Sequence, residues 1–208
     1  MAKPPKIIYF DLGNVILNFS HELGCQQMAE VAGISVEDVR RFAFDSEIAR
    51  RYERGEITTR EFFDFFCQQT DTRPNYDDLI AAGSDIFKIN APILAIIAQL
   101  KQRGCRMGIL SNTCAMHWQW ASCGRYAILP TYFDPVVLSF EVGQAKPAAE
   151  IYTTAAQIAG VEMADVFFTD DRLENVEGAR LAGFDAERFE SASGLAAQLA
   201  ARGIRLTT

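Results

Sequence analysis

Four short apolar runs constrain this chain more than any other feature. They are Lys6–Phe10, Arg106–Leu110, Pro135–Leu138 and Val166–Thr169. Each is rich in β-branched or aromatic residues and each runs into a polar residue. Near-continuous apolar strands separated by helical stretches are the pattern of a parallel sheet covered on both faces. The intervening stretches have helical spacing. Ala91–Gln102 places Ile93, Ile96, Ile97 and Leu100 on one stripe. Pro147 suits a first helical turn before Ala148–Ala159, and Asn175–Ala182 and Leu195–Ala201 complete the set. The expected fold class is α/β, a doubly wound, Rossmann-like parallel sheet.

One region breaks the alternation. Between about Asn18 and Asn90 only helical patterns are visible, including Leu23–Val31, Val36–Arg51 and Thr59–Gln69, with Gly33, Gly55 and Arg73-Pro74-Asn75 as breaks. The Phe62, Phe63, Phe65, Phe66 cluster in the last of these reads as helix-packing core rather than as a ligand box. The expected organisation is therefore a core of residues 1–17 and 91–208, with an all-helical cap of residues 18–90 inserted after the first strand. The cap can act as a lid hinged near Leu17–Ser20 and Asn90–Pro92, which would select small substrates. At 208 residues the chain is long enough to bury a core unaided. Its five cysteines are an odd number without a C-x-x-C pair, so neither a disulfide framework nor a zinc site is expected. Lys3 and Lys6 precede an apolar run too short for a secretory signal, and no run reaches a membrane span. A cytoplasmic protein is expected. The net charge of −7 offers no electrostatic route to nucleic acid.

Ligands of open parallel sheets bind at the carboxyl ends of the strands. There the sequence places Asp11, then Ser111-Asn112-Thr113, then Lys146, then Thr169-Asp170-Asp171. Singly, each has an ordinary structural use: Asp in a turn, Ser as a helix cap, Lys at the surface. Together they form a chemical set. A carboxylate can attack phosphorus and form an aspartyl-phosphate, splitting one hard hydrolysis into two steps. Carboxylates repel, and Mg²⁺ is the hard cation suited to lie between Asp11 and Asp171, with help from Asp170. Ser111 and nearby N–H groups can hold phosphate oxygens, and Lys146 can neutralise the transferring group and position Asp11.

Phe10-Asp11-Leu12-Gly13-Asn14-Val15, Ile109-Leu110-Ser111-Asn112-Thr113, Ala145-Lys146-Pro147 and Phe167–Ala179 resemble, in order, the four motifs of the haloacid dehalogenase-like hydrolase superfamily. The helical insertion resembles that family's type-1 cap. Tyr52-Glu53-Arg54-Gly55-Glu56-Ile57-Thr58 is similar to the branch containing alpha-D-glucose-1-phosphate phosphatase and the N-terminal phosphatase-like domains of epoxide hydrolases. The resemblance implies Asp11 as nucleophile and magnesium ligand, Gly13 as a backbone-carbonyl ligand and Asp171 as a carboxylate ligand. Asp171 is preferred to Asp170 because Asn175 lies four residues on, and Asp170 becomes a more distant partner. Ser111 and Asn112 would contact phosphate, and Lys146 would be the motif lysine.

The sequence departs from the family at Gly13. Most phosphatases of the family carry there a second Asp that protonates the leaving group, a contribution of about 10²–10⁴ in rate. Either the leaving group departs readily, as from a sugar 1-phosphate, or another residue supplies the proton, or turnover is weak. Of the two histidines, His21 lies where the chain enters the cap and is the sharper candidate; His117 is the other. Trp118 and Trp120 suit either core packing or the wall of a sugar pocket. The expected activity is magnesium-dependent hydrolysis of a small phosphorylated metabolite, such as a hexose 1-phosphate. The alternatives are a metal-independent 2-haloacid dehalogenase, to which the paired Asp170-Asp171 is ill suited, and a non-catalytic phosphate-binding module. The sequence leaves the oligomeric state open.

Overall fold

The computed structural model describes residues 4–207; residues 1–3 and 208, Lys3 among them, lie outside the described residues. Seven strands form: β1 Ile7–Phe10, β2 Leu17–Phe19, β3 Phe87–Ile89, β4 Met107–Ser111, β5 Val136–Leu138, β6 Val166–Asp170 and β7 Asp185–Arg188. Five of them make a parallel sheet in the order β5-β4-β1-β6-β7. Every residue of β1, β4 and β6 is buried. Alternate residues of β1 face opposite layers: Ile8 and Phe10 pack in one apolar cluster, Ile7 and Tyr9 in the other. Helices Ala91–Gln102 and Ala192–Ala201 contribute to the first layer, Ala149–Ala159 and Leu173–Ala182 to the second. This is the doubly wound α/β fold that the apolar runs imply. Each fully buried Ile, Leu or Phe contributes about 1.5–3 kcal/mol to it. The one polar atom that Tyr9 takes inside is satisfied, because its hydroxyl donates to Ala155 O at 2.9 Å.

Between β2 and β3 lie helices His21–Ala32, Val36–Val39, Glu47–Glu53, Thr59–Thr70 and Tyr76–Ser84, with a π-helical turn at Arg40–Phe44. They enclose their own apolar cluster, in which Phe62, Phe63 and Phe66 meet Cys25, Met28 and Leu79. Phe65 is outside it and only half-buried. Local capping explains several boundaries. Ser20 accepts from Leu23 N–H, Thr58 and Glu61 form a capping box, and Ser46 starts a new helix by accepting from Ala49 N–H. The last of these divides the single helix expected over Val36–Arg51.

Three expectations are corrected. The insertion is not all helical: its two ends pair as an antiparallel ribbon, Leu17 opposite Ile89 and Phe19 opposite Phe87. Three-residue strands carry no readable period, and only their non-local pairing creates them. The fifth strand of the sheet, β7, was not expected, because Asp-Ala-Glu-Arg is charged and buries only Ala186. That is the composition of a protected sheet edge. Pro147 precedes the helix rather than opening it, since the helix begins at Ala149. All five cysteines are free, Cys25 and Cys114 buried and Cys123 exposed. Among the described residues no helix is long and apolar enough to cross a membrane.

Candidate active site

The site lies where β1, β4 and β6 end together. Asp11 follows β1 directly, and its N–H donates to Thr169 O of β6 at 3.0 Å, so the sheet itself aims the side chain. Asp11 Oδ1 accepts from Leu12 N–H at 2.7 Å and pairs with Lys146 Nζ at 3.0 Å. Its Oδ2 bonds to none of the described residues. The Lys146 ammonium, with its side chain 1% exposed, has three protons and three acceptors: Asp11 Oδ1, Asp170 Oδ2 at 2.6 Å and Leu110 O at 2.9 Å. Burial works against this charge, but Asp11 and Asp170 outweigh it and hold Lys146 above its ordinary pKa.

Asp170 is fully buried and fully engaged. Besides Lys146 it accepts from Arg172 N–H at 2.9 Å and, on both oxygens, from Asn175 Nδ2 at 3.0 Å. Asn175 therefore serves Asp170, not the Asp171 with which its spacing associates it. Asp171 is half-buried and accepts a single side-chain bond, from Asn14 Nδ2 at 3.1 Å. Asn14 takes a left-handed backbone with φ 53°, which asparagine adopts more readily than most residues. Asp11, Asp170 and Asp171 each offer an oxygen within 4.8 Å of the others. Burial, together with Asp170, raises Asp11 to about 6 even though Lys146 opposes the shift. Lys146 pairs with two of these three carboxylates, so the cluster keeps net negative charge in a largely buried place, a cost that a bound cation would remove.

The second motif divides its labour. Ser111 is buried at the end of β4, and its hydroxyl makes only a long 3.4 Å contact with Asn112 O, so it is free to bind an anion. The Asn112 side chain is already occupied. Its Oδ1 accepts from Lys146 N–H at 2.8 Å and its Nδ2 donates to Lys146 O at 2.9 Å. It clamps the lysine's backbone.

Asp11, Asn14, Ser111, Asn112, Lys146 and Asp171 floor a cavity of about 160 Å³, which Asp170 supports without lining it. Its opposite wall comes from the helical insertion and its ribbon: Phe19, His21, Glu53, Ile86 and Phe87, together with His117 from the helix after β4. His21 keeps solvent contact but lies between the Phe19 and Phe44 rings, each with its centroid 4.9 Å away. Burial and then Arg40 lower its pKa. His117 Nε2 lies 3.1 Å from Gly83 O, and burial pushes this imidazole down to about 4. Trp118 and Trp120 do not line the cavity. Trp118 packs against the sheet cluster, and Arg125 stacks on Trp120 with 3.7 Å to the ring centroid. At Gly13 an added Cβ would meet Phe19 Cε1 at 2.8 Å, so the Phe19 ring fills the space an acidic side chain there would need.

Sequence reasoning did not assign roles to Glu53, Asn14 or Thr113, all of which line the cavity. Asn14 belongs to the first motif and Glu53 to the cap segment Tyr52–Thr58, and folding brings both to the site.

A family model for haloacid dehalogenase-like hydrolases matches residues 5–183. The D-ribitol-5-phosphate phosphatase of Bacteroides thetaiotaomicron is 25% identical over 192 residues, covering 89% of this chain and 92% of that protein. A HAD family enzyme of the same organism, solved as a magnesium complex, superimposes with a TM-score of 0.79 at 27% identity, over 91% of this chain and 95% of that one. The L-2-haloacid dehalogenase of Xanthobacter autotrophicus, with chloropropionic acid covalently bound, shares the fold with a TM-score of 0.64 at 18% identity, over 95% of this chain and 83% of that one. With the four motifs meeting at one sheet edge and the family model spanning most of its length, this chain belongs to the haloacid dehalogenase-like hydrolases.

Proposed function

We propose that the protein is a magnesium-dependent hydrolase of small phosphate monoesters, with a sugar phosphate such as a hexose 1-phosphate as the first candidate substrate. The observation that carries this reading is the buried constellation of Asp11, Lys146 and Asp170 with the more open Asp171 beside it. A dehalogenase needs no cation, whereas these carboxylates are placed to hold one.

Asp11, Asp171 and the Gly13 carbonyl would hold the magnesium, with Asp170 behind them, tied to Lys146. When bound, the ion neutralises the carboxylates and the incoming phosphate, so that a chain of net charge −7 can accept an anion. The protein's own groups do the rest. Lys146 and Leu12 N–H hold Asp11 Oδ1, which fixes the carboxylate for attack on phosphorus. An Asp11–phosphorus bond forms as the ester P–O bond breaks. Ser111 and the Asn112 main chain bind the phosphate oxygens. Water then attacks the aspartyl-phosphate and releases inorganic phosphate. Residues 18–90 act as the lid over this floor, and a cavity of about 160 Å³ suits a small metabolite rather than a protein. The proton for the leaving group has two contenders on the lid's side, His21 and Glu53.

The test is a phosphate-release screen of small phosphorylated metabolites, including sugar 1- and 6-phosphates, with Mg²⁺ or EDTA. Asp11→Asn is the blank, and fluoride release from a fluorinated haloacid is the competing assay. The expected result is phosphate release that EDTA abolishes and that Asp11→Asn lowers by about 10³ or more. Halide release that survives EDTA would refute it.

A further inference from the structure

We propose that Glu53, delivered by the helical cap, is the proton donor to the leaving group in place of the acid missing at Gly13. This rests on the phosphomonoester reading above. Gly13 cannot be supplemented locally, because the Phe19 ring occupies the space beside it. The donor must then come from another residue lining the cavity. Asp11, Asp171 and Lys146 belong to the charged floor, and Arg172 does not give up its proton at usable pH. His117 points Nε2 at Gly83 O, and His21 lies between two phenylalanine rings. Both imidazoles are held toward the neutral form, which is a poor acid. Glu53 remains.

Its position is fixed while its carboxyl is free. Glu53 ends the helix Glu47–Glu53, and its carbonyl accepts from Ser139 Oγ at 2.7 Å. The same Oγ accepts from Thr113 N–H at 3.0 Å, so Glu53 is anchored two residues from Ser111. Gly55 seats the following turn against the core: with φ 69° it lies so close that a Cβ would fall 1.9 Å from Phe140 O. Among the described residues the Glu53 carboxyl has no hydrogen-bond or ion-pair partner, whereas Glu47 and Glu56 nearby are both paired with arginines. Partial burial of its carboxyl raises Glu53 above the usual glutamate range, although the residue as a whole keeps solvent contact. Arg172 from the β6 loop and Arg50 and Arg54 from its own segment pull the other way, and Cys114 also faces it. A raised carboxylic acid suits proton donation near neutral pH.

The step balances. As the Asp11–phosphorus bond forms and the ester P–O bond breaks, the Glu53 proton passes to the departing oxygen and an alcohol leaves. Glu53, now ionised, takes a proton from the water that attacks the aspartyl-phosphate, which restores both carboxyl groups and frees phosphate. Because the donor sits on the cap, alkyl-ester cleavage requires the cap to be seated.

The test is single-turnover release of the leaving group by the Mg²⁺-loaded enzyme, comparing Glu53→Gln with His21→Ala on two substrates. One is the best polyol or sugar phosphate from the screen; the other is p-nitrophenyl phosphate, whose leaving group needs little protonation. Glu53→Gln is expected to slow the sugar phosphate by about 100-fold and the aryl ester by less than about fivefold. In the unaltered enzyme the sugar-phosphate rate falls as pH rises through the Glu53 pKa, and in Glu53→Gln that alkaline limb disappears. Single-turnover aryl release by the variant doubles as the control for folding. Equal losses on both substrates, an unchanged sugar-phosphate rate, a persisting alkaline limb, or the selective loss appearing in His21→Ala instead would each overturn the proposal. If the unaltered enzyme cleaves neither ester, the phosphomonoester reading itself falls.

Discussion

The two walls of the cavity differ in kind. The floor is built from charged groups that are almost entirely buried: Lys146, Asp170 and Asp11 are 4%, 0% and 7% exposed. Nearly every floor group is bonded to another, and three parallel strands set their positions. The roof is largely aromatic and partly open to solvent, with Glu53 as its one carboxyl among the described residues, and it is carried by short helices and a three-residue ribbon. The floor can therefore perform one kind of chemistry on whatever reaches it. On the proposed reading the roof decides what reaches it and, through Glu53, whether a poor leaving group departs. Chemistry rests on pre-organised charge in a rigid frame, and selection rests on a surface that can change without disturbing that frame.

The sharpest way to break this contrast is at the floor. Lys146→Met leaves Asp11 and Asp170 without their shared ammonium. The loss of one partner from a buried ionic group costs about 3–5 kcal/mol. Thermal unfolding without Mg²⁺ should show a large fall in Tm, with phosphate release down by about 10³ or more. An unchanged Tm would mean that the floor is not the electrostatic unit described.

The seam between the walls should matter less. Gly55→Ala places a Cβ where Phe140 O stands, at a backbone angle that favours glycine. The cap must lift, and kcat/KM for a sugar phosphate is expected to fall about tenfold or more, with about 2 kcal/mol of stability lost. Metal affinity, which is a property of the floor, should change little in a Mg²⁺ titration. A parallel loss of metal affinity would show the two walls to be coupled.

The effect expected at the roof is one of pH-dependent stability and leaves catalysis at neutral pH alone. His117 has its pKa depressed to about 4, so the unfolded chain binds its proton more readily than the folded one. Its contribution is intact above about pH 6.5 and is lost as pH falls through 4. Across that window it amounts to about 2–3 kcal/mol, allowing for partial solvent contact, on a shift from 6.5 to about 4. Denaturant unfolding between pH 7 and 4 should show this acid-side loss, and His117→Gln should flatten it.

The wall on which a feature lies also decides how legible it is in the sequence. β1, β4 and β6 are uninterrupted apolar text because both faces of the sheet are covered. The residues at or just after their ends are local in sequence to the strands that aim them, so Asp11, Ser111 and Asp171 can be read off directly, and Lys146 follows from the loop after β5. β7 could not be read in this way, since an edge strand is kept charged, nor could the β2–β3 ribbon, whose partners are some 70 residues apart. Asn175 and Asn112 illustrate a subtler limit. Their presence was readable, but their partners were not: one serves Asp170 and the other the backbone of Lys146.

By itself the sequence determined the fold class, the family motifs and the four positions of the charged rim, because strand periodicity and strand ends are local properties of a chain. Only the tertiary structure decided what closes the cavity. Phe19 beside Gly13, Glu53 held through Ser139 to the Ser111 loop, and His117 turned to Gly83 are contacts between segments 6 to 86 residues apart. Such contacts exist only once the apolar clusters of cap and core have each collapsed and set them against one another.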